Sequence, residues 1–223
     1  MEKKVSNNSI LIDEAMFDTY QEIALEIIQL VYDLNRQVVI GITGAPGAGK
    51  STTAQSVSSL IPDSIVIPMD GYHFTKAHLS SMENHEEAFK RRGAHWTFDA
   101  AKFVEDLKNL KQNRAGKFPS FDHGVGDPVE QDIEVTHHHK VIIVEGNYLL
   151  LDIEPWNQIK DILDFTYFID CDLNVSSDRV RRRHISVGRT PEEAANRVET
   201  NDLLNAQLIQ ESAPRANKVI QSQ

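Results

Sequence analysis

The segment VVIGITGAPGAGKSTT, residues 38–53, restricts the possible folds of this chain more than any other stretch. Its first part, 38–43, is a short apolar, β-branched run of the kind that forms a strand buried on both faces of a parallel sheet. Gly44 ends that run, and GAPGAGKS at 44–51 matches G-x-x-x-x-G-K-[ST]. Gly44, Gly47 and Gly49 allow backbone conformations closed to residues with a Cβ. Together with Ala45, Pro46 and Ala48 they let successive N–H groups close around phosphate oxygens. The helix that follows aims its positive end at the same anion. Such a cradle binds a nucleoside triphosphate, with Lys50 bridging the β- and γ-phosphates, the Ser51 hydroxyl ligating Mg²⁺ and Thr52 contacting a phosphate. The alternative is a glycine-rich turn that holds no ligand.

Further apolar runs at 65–68, 141–144, 165–169 and, more weakly, 219–220 alternate with helically patterned stretches, which reads as a parallel α/β sheet flanked by helices. Met16, Tyr20, Ile23, Ala24, Ile27, Val31 and Leu34 recur at helical spacing and predict an N-terminal helix within 1–36, starting near Asp13 and Glu14. Asp99 is placed to cap a helix carrying Phe103, Leu107 and Leu110. Thr190, Pro191 and Glu193 form a capping box with proline at the first helical position. Between about 112 and 139 the density of Gly, Pro, Asp and His predicts an irregular excursion with little regular core. At 223 residues and 40% hydrophobic content, the chain is expected to be one domain.

A formal charge of −10 disfavours a broad nucleic-acid footprint, so the expected partner is a small molecule. One cysteine, Cys171, excludes an intramolecular disulfide. The polar first residues lack a signal-peptide core, and no apolar run approaches a membrane span. The expectation is a cytoplasmic protein that binds neither nucleic acid nor membrane. Its apolar N-terminal helix either covers the sheet or meets a second subunit in a homodimer.

Two carboxylates follow predicted strands, at the edge where open parallel sheets bind ligands. Glu145, after 141–144, takes a Walker-B-like position suited to Mg²⁺. Asp70, after 65–68 in PMDGYH, suits a general base, or else caps a turn. In DRVRRRH, residues Arg179, Arg182 and Arg183 share one helical face. They either neutralise phosphate charge or form a solvated, salt-bridged surface. Cys171 reads as a buried, inert thiol, since no basic residue adjoins it in sequence.

The phosphate loop, MDGYHF, RRGAHWTFD, PSFDHGVGDP, IVEGNYLLL and the Arg-rich helix together resemble the phosphoribulokinase, uridine kinase and pantothenate kinase group, most closely its nucleoside/nucleotide kinase-like or fructose-transport-associated branch. The resemblance spans most of 38–220. It implies a three-layer P-loop NTPase fold with a substrate-side insertion at about 71–139 and a helical lid at about 174–195. It also implies transfer of the ATP γ-phosphate to a hydroxyl of a small metabolite. Asp70, Lys50, Arg179 and Arg183 would be catalytic, Arg182 would contact ATP, and Ser51 and Glu145 would hold Mg²⁺. PSFDH is similar to a pantothenate kinase stretch ending in a substrate-contacting His, here His123. RRGAHWTFD departs from both the uridine and the pantothenate kinase patterns. Its Arg91, Arg92, Trp96 and Phe98 are either a substrate-side wall or ordinary core. Tyr72 and His73 beside Asp70, and Asn147 beside Glu145, complete the substrate-side candidates.

Overall fold

The computed structural model describes residues 16–222. Helix α1, Phe17–Leu34, buries Tyr20, Ile23, Ala24 and Ile27 along one stripe. Leu34, expected on that stripe, is 41% exposed, because the chain turns out of the helix at Asn35 in the left-handed region. The predicted start at Asp13 and Glu14 lies outside the described residues.

All five expected strands are present: β1 (Val38–Gly44), β2 (Ser64–Pro68), then β5 (Val141–Gly146), β6 (Phe165–Asp170) and β7 (Lys218–Gln221). They pair in the order β2-β5-β1-β6-β7, parallel throughout. Side chains alternate between the two faces of the sheet. Val38, Ile40, Ile42, Val141, Ile143 and Tyr167 pack with α1 and with α2 (Lys50–Leu60), while Val39, Ile142, Val144 and Phe168 pack with Phe103, Leu107 and Leu110 of α5 (Ala100–Asn113). The result is three layers, helix on sheet on helix, with every residue of β1 and β5 buried.

The connection from β2 to α5 holds two short helices, α3 (Lys76–Ser81) and α4 (His85–Lys90). Asp99 caps α5 through a bond from Lys102 N. The stretch expected to be irregular is instead an antiparallel hairpin, β3 (Gly116–Asp122) with β4 (Asp127–Val135). Phe118 and Val135 tuck into the core beneath it while the outer face stays wet, a one-sided pattern that its polar composition conceals. Pro119, which argues against a strand, sits where the pairing register shifts between Phe118 and Ser120, so no ladder bond is lost to it.

After α6 (Ile159–Ile162) and β6 come α7 (Leu173–Ser186), α8 (Pro191–Arg197), a π-helical turn at Val198–Asp202 and α9 (Leu203–Gln210). Thr190 and Glu193 form the expected capping box.

Candidate active site

The phosphate loop leaves β1 and enters α2 with Gly47 at φ 80° and Gly49 at φ 95°, both in the region that favours glycine. Gly47 is required a second time, since a Cβ there would lie 2.3 Å from the Ser176 carbonyl oxygen of α7. Loop and helix therefore touch backbone to backbone. Between them opens a cavity of about 380 Å³ lined by Gly47–Thr53 of the loop, by Arg179, Val180 and Arg183 of α7, by Ser222 and by Met16 and Tyr20 of the α1 end. Met16 and Tyr20 read in the sequence only as core positions, and nothing in a one-dimensional pattern distinguishes a core residue that also walls a cavity.

Of the three arginines placed on one face of α7, the cavity takes Arg179 and Arg183, which are one turn apart. Arg179 donates to the Gly47 carbonyl at 3.3 Å and lies 3.7 Å from the Cys171 sulfur, a basic neighbour that the sequence order hides. Arg182 is rotated away. Its side chain is 79% exposed and pairs with Asp178, so it does not join the other two.

Ser51 Oγ donates to Glu145 Oε2 at 3.2 Å, joining the loop to the end of β5. Glu145 is buried, and that burial pushes its carboxyl up to about 7; Lys50 opposes the rise, Asp70 adds to it and the Ser51 bond opposes it. Loss of water around Lys50 lowers its pKa; Glu145 and Asp70 pull it back up and Arg183 lowers it further. Asp70 lies in a 3₁₀ turn, Met69–Tyr72, that continues β2. Its field reaches Lys50, Glu145, His73 and Tyr148, so the two carboxylates and the loop lysine share one locality. A hydroxyl beside a carboxylate is a hard-oxygen donor set, which fits Mg²⁺ held jointly with nucleotide phosphates. Among the described residues no three His, Cys, Asp or Glu side chains gather as a metal cluster.

The substrate-side candidates divide. His73 donates from Nδ1 to the Asp70 carbonyl at 2.9 Å, and its ring lies tilted against those of Phe98 and Phe121, with centroids 4.0 and 4.9 Å away. Burial lowers its pKa, Asp70 opposes this, and Arg92 and His123 add to the lowering. Arg92 donates to the Phe74 carbonyl and to Asp127 of the hairpin, each at 3.0 Å, with its guanidinium 5.9 Å from the Phe121 ring centre. His123 is exposed at the hairpin turn, edge-on to Phe121. The Asn147 backbone carbonyl accepts from the Thr43 hydroxyl at 3.1 Å, and its side-chain Oδ1 is buried without a partner. Trp96 is half-buried in a short turn. Phe98 and Tyr72 are core residues: Phe98 packs on His73, Tyr148 and Trp156, and the Tyr72 hydroxyl is bonded to Asp106 at 2.8 Å. Neither is open to stack on a substrate.

The sequence also did not reveal the network that holds 91–93. Tyr148 donates to the Gly93 carbonyl at 2.6 Å, Arg197 to the Arg92 carbonyl at 2.6 Å, and Asn201, from the π turn, to that same carbonyl at 3.3 Å. Tyr148 is masked by the apolar run around it, and a π turn has no recognised sequence signature.

Residues 39–222 match the model of the "Phosphoribulokinase / Uridine kinase family". A provisionally named uridine kinase of Schizosaccharomyces pombe is 35% identical, over 96% of this chain and 94% of its own. An ATP-dependent kinase, YFH7 of Zygosaccharomyces rouxii, is 33% identical over 70% of this chain and 50% of its own. Among solved structures, a kinase from Silicibacter sp. TM1040 provisionally assigned to a fructose transport system superposes with a TM-score of 0.74 at 29% identity, covering 83% of this chain and 90% of the other. YFH7 from Saccharomyces cerevisiae superposes at 0.82 with 20% identity, over 91% and 98%, and supports the fold.

Proposed function

Because this chain belongs to the phosphoribulokinase/uridine kinase family, we propose that it transfers the γ-phosphate of ATP to an alcohol of a small metabolite, with Asp70 as general base. That it is an ATP-dependent P-loop kinase follows from the family; the acceptor chemistry and the residue roles are our reading. The observation that carries it is the shared locality of Asp70, Lys50 and Glu145 at the carboxyl edge of the sheet, beside the phosphate loop.

In this reading the acceptor O–H gives its proton to the Asp70 carboxylate as the oxygen bonds to the γ-phosphorus. The bond from that phosphorus to the β–γ bridging oxygen breaks, and its electron pair leaves with ADP. Lys50 from the loop and Arg179 and Arg183 from α7, all lining the cavity, offset the charge on the transferring group. Mg²⁺, for which Ser51 and Glu145 are the fitting donors, would neutralise phosphate charge when bound. The packing of α7 on the loop at Gly47 would help keep water, which otherwise competes with the acceptor, out of the site.

The test is ADP formation across a panel of alcohol acceptors, with the mass of each product identifying the phosphorylated species. One acceptor that stimulates turnover and gains a phosphoryl group is expected. Turnover indifferent to every acceptor would instead indicate a nucleotide-hydrolysing switch.

A further inference from the structure

Near the turn that carries Asp70 stand two arginines, Arg91 and Arg197, that no carboxylate among the described residues pairs. Arg91 donates to the Thr200 carbonyl at 3.2 Å and to Asn205 Oδ1 at 3.1 Å. Arg197 donates to the carbonyls of Lys90 and Arg92. All four acceptors are neutral, and among the described residues neither arginine has a carboxylate within ion-pair distance. Asp202, which acts on Arg197 from further off, is bonded to His184 at 2.8 Å, and Asp127 is bonded to Arg92. Glu86 and Glu87 share an outer cleft with Arg91 without pairing to it.

In a chain of net charge −10, two half-buried guanidinium groups held by neutral acceptors and paired with no carboxylate call for a reason. The Nε atoms of Arg91, Arg92 and Arg197 are shielded from solvent and lack partners, as does Asn201 Oδ1. The cluster also sits beside the chemistry. Arg92 donates to the carbonyl of Phe74, next to His73, whose ring is bonded to the Asp70 carbonyl, and Tyr148, three residues past Glu145, is bonded to the Gly93 carbonyl. Gly93, at φ 103°, and the three bonds to the carbonyls of 92–93 fix the segment that carries the arginines.

We propose that this arginine cluster reads an anionic group, a carboxylate or a phosphate ester, on the same small acceptor whose hydroxyl meets Asp70. The inference rests on the kinase reading above and narrows it: the acceptor is an alcohol carrying fixed negative charge, and neutral nucleosides and free sugars are poor substrates.

The experiment compares matched acceptors differing only in charge, glycerate against glycerol and ribose 5-phosphate against ribose, by kcat/KM for ADP formation in the wild-type protein. The charged member of at least one pair is expected to win by about tenfold or more, the scale of one charge-assisted pair; which pair responds separates carboxylate from phosphate. Arg91→Gln should erase the preference through the acceptor KM, and Arg91→Lys, which keeps the charge, should restore part of it. Neutral members matching the charged ones, or a preference that survives Arg91→Gln, overturns the proposal; if Arg91→Gln does not fold, the wild-type pairs decide alone. Should no acceptor of either charge stimulate turnover, the kinase reading fails. Calorimetric titration of glycerate and ribose 5-phosphate into the Mg·ADP-loaded protein then decides the anion site. Binding weakened about tenfold by Arg91→Gln supports it, and no binding, or binding equal in the variant, overturns it.

Discussion

Glu145 shows how one buried carboxyl ties stability to the site. Its folded pKa, about 7, lies above the ordinary 4.5, so between those values the folded chain holds a proton that the unfolded chain has released. The nucleotide-free protein should therefore be most stable, as far as this group is concerned, below pH 4.5, and lose at most about 3 kcal/mol as pH rises through 7. In Glu145→Gln that component should vanish, leaving the variant at least as stable as wild type at pH 8 in urea unfolding. A wild-type minus variant difference that is flat with pH would refute this. Single residues were also where the sequence spoke most plainly. Lys50, Ser51, Asp70 and Glu145 were legible because each sits at a fixed offset from a strand end. Arg91 was only one of several candidates for a substrate-side wall and Arg197 was not singled out, because their meaning depends on what fails to pair with them in three dimensions.

Among the elements, the hairpin β3–β4 is the part that sequence patterning missed, and it is also the part that meets the turn carrying Asp70. A Cβ on Gly71 would lie 2.3 Å from the Pro119 carbonyl oxygen, so the hairpin rests directly on the turn that carries Asp70. Gly71→Ala should push the two apart, lowering stability by about 1–3 kcal/mol and raising the acceptor KM far more than the ATP KM. Equal effects on both substrates would contradict that division. Gly47→Ala should do the converse. It displaces α7 from the loop and burdens a positive φ, so ATP affinity falls most, as read by calorimetry. Strands and caps were recoverable from sequence because β-branched runs and capping residues act locally. The hairpin was not, because only one face of it is apolar and Pro119 breaks its signal.

Across the whole molecule, one buried carboxylate joins elements from distant parts of the chain. Asp164 accepts from Arg36 at 2.7 and 3.0 Å, from Val39 N at 2.8 Å and from Lys111, linking the chain after α1, strand β1, helix α5 and the start of β6. Burial alone would raise its pKa, but these bonds outweigh it and hold it below the ordinary 3.8. Its contribution is therefore present above pH 3.8 and lost as pH falls further. Asp164→Asn should cost about 2–4 kcal/mol of unfolding free energy at neutral pH with little change in the ATP KM. That clamp lies at the opposite end of the strands from the chemistry, where the sheet delivers a donor cradle from β1 and two carboxylates from β2 and β5 to one edge. The family accounts for the cradle; the direction of phosphoryl transfer rests on Asp70. The most direct measurement is single-turnover transfer from γ-labelled ATP to the cognate acceptor by wild type and Asp70→Asn. Transfer slowed by about 10²–10⁴-fold, with ATP affinity unchanged, is the predicted result. Transfer at the wild-type rate would contradict it.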